Sequence, residues 1–141
     1  MSVSASIEIQ FLDKKPIDIV ILLLNAGWTF NDNGHQTYLP IGDNDEWDWV
    51  WDNLNNEDLL AILKNKQELS EVIGIGMTWS DSSRGGELIF EKNNSLIFNI
   101  SNNRLISEST VTDFDWYLKK IVCAFNLHGV VVESISCYEY K

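Results

Sequence analysis

Residues 87–100 read Glu-Leu-Ile-Phe-Glu-Lys-Asn-Asn-Ser-Leu-Ile-Phe-Asn-Ile. Two apolar runs, Glu87 to Glu91 and Ser95 to Ile100, flank Lys92-Asn93-Asn94, a pattern that predicts a β-hairpin. Toward the C-terminus, Leu105 and Ile106 are expected to prolong this meander by one short strand. Thr112 and Asp115 have capping-box spacing and open a helix lined by Phe114, Leu118, Ile121, Val122 and Phe125. Tyr117 on that helix is expected in the core. Gly129 is placed to end the helix, and Val130 to Tyr140, rich in β-branched and aromatic residues, form a final strand.

Toward the N-terminus, Ser80 to Gly86 is a polar loop. Val72 to Trp79 is a strand interrupted by Gly74 and Gly76, which permit a close backbone approach or a bulge. Asn55 and Asp58 cap a helix whose apolar side is Leu59, Leu60, Ile62 and Leu63. Ser4 to Phe11 alternates as a first strand. A helix follows, capped by Asp13 or Lys15, with Pro16 in its first turn and Gly27 at its end. It is apolar on most sides, so it is expected between the sheet and another layer. Asn31-Asp32-Asn33-Gly34 is a turn that pairs Trp28 to Phe30 with Gln36 to Leu39. Together these elements predict one α+β domain over residues 1–141, an antiparallel or mixed sheet of five to seven strands with about three packed helices.

One stretch does not serve this framework. Pro40 to Trp51 packs Asp43, Asp45, Glu46 and Asp48 among Trp47, Trp49 and Trp51, and Asp52, Glu57 and Asp58 follow. No Lys or Arg lies between Lys15 and Lys64. Crowded carboxylates without an internal cation repel one another. Indoles threaded between them add flat, rigid contact area. The stretch is expected to be irregular or extended, and it reads either as a surface for a basic protein or as core tryptophans with a solvated acidic side.

The 141 residues carry a formal net charge of −11. That charge repels nucleic acid and anionic membranes at long range, so direct binding to either is not expected. The first ten residues lack a signal-peptide pattern, and the apolar run Ile17 to Leu24 is too short to span a bilayer. A cytoplasmic protein is expected. Cys123 and Cys137 match no disulfide framework or metal-ligand spacing and read as buried thiols. His35 and His128 fit no zinc motif, and no serine-nucleophile elbow is present. Gly74-Ile-Gly76 lacks the third glycine of a dinucleotide site. Asp43, Asp45 and Glu46 lack the rest of a calcium loop. No catalytic residue, metal site or cofactor is therefore assigned.

Three sets of residues resemble a known family. They are Trp28 with Gly34 and Tyr38-Leu-Pro-Ile-Gly-Asp-Asn-Asp45 followed by Trp47-Asp-Trp49; Glu71-Val-Ile-Gly-Ile-Gly76 with Gly85-Gly-Glu-Leu88; and Asn103-Arg104 with Thr112-Asp-Phe-Asp-Trp-Tyr-Leu118. Together they resemble the immunity proteins of bacterial contact-dependent growth inhibition, small cytoplasmic inhibitors of the toxic C-terminal domain of a large exported protein. The resemblance implies a cognate toxin domain as partner, often a basic nuclease. In one branch of that family it also implies insertion of a toxin β-hairpin that extends the inhibitor's sheet.

On this reading Asp43, Asp45, Glu46, Asp48 and Asp52 steer the partner. Trp47, Trp49 and Trp79 anchor it, and Asp81 and Arg84 lie at the edge. Two alternatives stand beside it: a nucleic-acid mimic that inhibits a DNA-binding enzyme, and a small hydrolase using a carboxylate pair. Oligomeric state is not legible.

Overall fold

A computed structural model describes residues 3–80 and 82–141. In chain order the elements are β1 (Ser4–Leu12), α1 (Pro16–Ala26), β2 (Trp28–Thr29), β3 (Gln36–Tyr38), β4 (Val50–Asp52), α2 (Asn56–Glu68), β5 (Ile73–Trp79), β6 (Gly85–Glu91), β7 (Ser95–Asn102), α3 (Phe114–Leu127) and β8 (Val131–Tyr140). The strands form one antiparallel sheet in the order β4-β3-β5-β6-β7-β1-β8, with β2 also paired to β5. The α+β class and the three helices agree with the sequence, and the eight strands slightly exceed the expected five to seven.

The central hairpin is β6–β7, with Glu91 opposite Ser95. Asn93 and Asn94 turn it at φ 74° and 55°, a left-handed conformation that asparagine tolerates better than most residues. Because side chains alternate along a strand, register assigns every position to a face. Ile7, Ile9 and Phe11 of β1, Phe98 of β7, Leu88 of β6 and Ile75 of β5 point to one side and are buried. There they join Ile19 and Leu23 of α1, Leu59 and Leu63 of α2, and Tyr117, Ile121 and Phe125 of α3 in one core. All three helices thus back the same face. Among the described residues no helix lies over the opposite face, which carries Gly74, Glu87, Ile89, Ile97, Asn99, Glu8 and Tyr138.

Several local expectations change. β2 and β3 do not pair with each other as strands; they lie in succession along β5, joined by a single Asp32–His35 bridge. Their shared neighbour is the longer apolar strand, which offers more pairing than either short strand could. The cap of α3 is Asp113, whose carboxylate accepts the Trp116 amide at 3.3 Å, because Thr112 is committed to Glu139 at 2.6 Å. Leu105 and Ile106 form no strand beyond one Ile106–Thr112 bridge. Helix α1 buries Ile19, Val20, Leu22 and Leu23 but leaves Ile21 exposed, since no further layer covers it.

Candidate partner-binding surface

The acidic stretch crosses the uncovered face beside β5. A Cβ on Gly74 would lie 2.7 Å from Leu39 and 2.8 Å from the Trp49 ring, so the chain settles there only because that position has no side chain. Asp43 organises the crossing. Its side chain is only 5% exposed, and its carboxylate accepts the amides of Glu46 (3.1 Å), Trp47 (3.2 Å) and Asp48 (2.8 Å). Burial pushes the Asp43 carboxyl up, but these bonds outweigh it and hold the group below the ordinary aspartate range. Trp47 sits at φ 61°, a costly conformation for a bulky residue that persists only where its surroundings hold it.

Beneath the loop lies a cation. Lys66 of α2 is fully buried, and its Nζ donates to the carbonyls of Pro40 (2.7 Å) and Asp43 (2.6 Å) and to Glu71 Oε1 (3.2 Å). Glu71 in turn accepts the Gly42 amide at 2.9 Å, and Asn44 Oδ1 accepts the Val72 amide at 2.9 Å. The loop is therefore bolted to α2 and to the start of β5, although it has no regular structure of its own before β4.

What this frame presents to solvent is acidic and aromatic. Asp45, Glu46, Asp48 and Asp52 are exposed, and among the described residues none is in an ion pair. The Glu46 carboxylate accepts the amides of Asn44 and Asp45, and Tyr38 donates to Asp52 at 3.4 Å. Burial, then the Asp52 charge, raises the Tyr38 pKa. Trp47 is 45% exposed. Trp51, on β4, is 74% exposed and stacks on His35 at 5.3 Å. Next to the loop opens a cleft of about 500 Å³. Asn44, Asp45 and Trp47 form one wall, Ile89, Ile97 and Asn99 the floor, and Glu91 to Asn93 the other wall. Register continues the floor outward through Glu8, opposite Ile97, and Glu87, opposite Asn99.

The expected site residues separate into three groups. Asp45, Glu46, Trp47 and Asp48 are exposed along the loop, and Trp49 lies half-buried under it. Asp52 alternates with Trp51 along β4 and so takes the helix-backed side with Val50 and Tyr38, whose hydroxyl it accepts. Asp43 is not a steering charge: its carboxylate is turned inward onto three amides, which is where a buried anion has to be satisfied. Trp79 and Arg84 do not belong to this surface either. Trp79 ends β5 on the helix-backed side, 5.5 Å from Trp28 and 6.5 Å from Trp116, with Lys120 Nζ 4.6 Å above its ring. The Arg84 guanidinium lies 5.8 Å from Trp116. Asp81 lies outside the described residues.

Both cysteines are exposed and not buried. Cys137 is on the outermost strand, beyond the cover of α3, and Cys123 is on the outer side of that helix. Sequence reasoning missed Lys66 as the loop's anchor and Ile89 and Ile97 as the cleft floor. Lys66 had a signal: it falls seven residues after Leu59 and three after Leu63, on the helix's apolar stripe.

Among the described residues no group of three His, Cys, Asp or Glu side chains is placed to hold a metal ion. The Asp43 and Glu139 carboxyls are both held below the ordinary range; the bonds from Thr112 do this at Glu139. A general acid would need the opposite shift. No described helix is long and apolar enough to cross a membrane. Comparison with models of known families, with curated proteins and with solved structures finds no match to this chain.

Proposed function

We propose that the chain is a cytoplasmic immunity-type protein that neutralises the basic C-terminal domain of a large exported toxin, a nuclease, by occupying it rather than by catalysis. The observation that carries this reading is the unpaired acidic rim, Asp45, Glu46 and Asp48, set beside the exposed rings of Trp47 and Trp51 on a rigidly anchored loop. Such a rim repels itself at low dielectric cost only while solvated, and a cationic surface relieves that repulsion on contact. The strained Trp47 backbone is in keeping with a residue held for contact. The floor of Ile89 and Ile97 supplies the apolar centre that a specific interface needs within its charged rim.

The test uses the toxin domain encoded beside this gene. The triple variant Asp45→Asn/Glu46→Gln/Asp48→Asn should associate roughly ten-fold more slowly at low salt, with a shallower salt dependence, because long-range steering sets the on-rate. Trp47→Ala should chiefly speed dissociation. An association rate that ignores both the charges and the salt removes the steering claim. Failure of the wild-type chain to restore growth to cells making that domain removes the immunity reading.

A further inference from the structure

The two strands that end the sheet differ as edges. β4 is three residues long, ends on Asp52 and follows closely on Asp48, a length and charge that discourage pairing with another chain. β8 runs for ten residues without a proline, and β1 is its partner on one side. Among the described residues, none of its backbone groups on the other side has a hydrogen-bond partner. Val131, Ile135, Tyr138 and Tyr140 along it are exposed. A long, open, partly apolar edge is a template for a further strand.

β8 complements itself. A two-fold axis normal to the sheet makes the contact isologous and sets residues of the same face opposite each other. Centring that axis on Cys137 places Glu133, the bulged residue of β8, against Lys141 of a second copy, twice, each lysine exchanging its 3.7 Å contact with Glu139 for the cross-strand acid. It sets Ser134 opposite Tyr140 and Ser136 opposite Tyr138, small against large, on the face where the two tyrosines already stack with planes 7° apart. On the helix side Ile135 meets Glu139, whose carboxylate is turned aside onto Thr112. Centring on Ser136 instead would oppose Glu133 to Glu139, a like-charge pair that costs stability. Centring on Ile135 forfeits both Glu133–Lys141 pairs.

We propose that two copies of the chain join β8 to β8 in the register centred on Cys137, continuing one sheet across the two-fold axis. Six strand spacings, about 29 Å at the usual separation, divide β8 from β4. Both acidic surfaces stay open at the far ends of the dimer.

Sedimentation equilibrium of the full chain at micromolar concentration should give twice the 16.2 kDa chain mass. Lys141→Glu should raise the dimer dissociation constant at least about five-fold, since two cross-strand pairs become repulsive, and Glu133→Lys in the same chain should restore it. Mild oxidation should link protomers through Cys137, whose Cα atoms would stand within disulfide reach across the axis; Cys137→Ser should abolish the link and Cys123→Ser should keep it. A chain of monomer mass overturns the proposal, as does a link that depends on Cys123 or a double variant as weak as the single one. A monomer that still captures the toxin domain would leave the proposed function standing and remove this dimer alone.

Discussion

Six tryptophans fall into two groups with opposite fates. Trp28, Trp79 and Trp116 meet edge to face on the helix-backed side, and the Trp28 indole donates to the Lys120 carbonyl at 3.2 Å. The charges there are cations, Lys120 and Arg84, resting on the rings. Trp47, Trp49 and Trp51 lie on the bare face, the first and last largely in solvent, and the charges among them are unpaired acids. Residue type is the same in both places. What separates them is whether a helix stands opposite: α3 closes over the first group, and among the described residues no helix closes over the second. On the proposed function, the exposed indoles of the bare face are the contact residues.

The sharpest way to break that contrast is to ask whether the acidic loop is as much a part of the folded unit as the aromatic core. Lys66→Met removes the cation that joins Pro40, Asp43 and Glu71. It leaves a carboxylate and two carbonyls without their donor. Breaking a buried pair in this manner costs about 4 kcal/mol, and urea unfolding should show a loss of that order. A loss under about 1 kcal/mol would mean that the loop opens and hydrates its groups independently, and the bare-face tryptophans would then lack a rigid base.

A second comparison sets one ring against another. Trp79→Ala empties a site packed by Trp28, Trp116 and the Lys120 stem, and should cost about 3 kcal/mol. Trp51→Ala touches little besides His35 and should stay within about 0.5 kcal/mol of the parent, while weakening capture of the toxin domain. Equal stability losses at the two positions would dissolve the distinction between core and contact tryptophans.

Much of the frame was legible because it follows local pattern. The β6–β7 hairpin announced itself by two apolar runs around Asn93-Asn94, and Asn55 caps α2 through a 2.8 Å bond to the Asp58 amide. Gly74 was legible as a site of close approach, though not what approaches it. The path of β2 and β3 along β5 was not legible, because pairing partners of short strands are chosen by tertiary competition. The site was legible in composition and obscure in geometry. Asp43 and Asp45 look alike in the sequence, yet one gathers three amides and the other faces solvent. That difference arises from the turn of the loop over Lys66, and the sequence offers only a lysine at an apolar position as its trace.

The same pair supplies a last contrast in stability. Asp43 titrates below its ordinary value of 3.8 because three backbone amides favour the anion. A group depressed in the folded state contributes stability that is complete above the unfolded pKa and is lost as pH falls through the folded one, since the unfolded chain then binds the extra proton. Asp43→Asn keeps the shape, but its amide nitrogen cannot accept, and the hydrogen bonds to a charged acceptor are lost at a cost of about 2 kcal/mol near neutral pH. The gap between parent and variant should narrow as pH drops below the ordinary aspartate value. Glu139, also depressed, is present in both proteins and cancels from that difference. Asp45→Asn should leave stability within about 0.5 kcal/mol of the parent, because the Asp45 side chain faces solvent on the loop surface. Equal stability losses for the two variants would mean that the loop's inward and outward carboxylates are not distinct, and with them would go the claim that the fold keeps one acid for itself and leaves the others for a visitor.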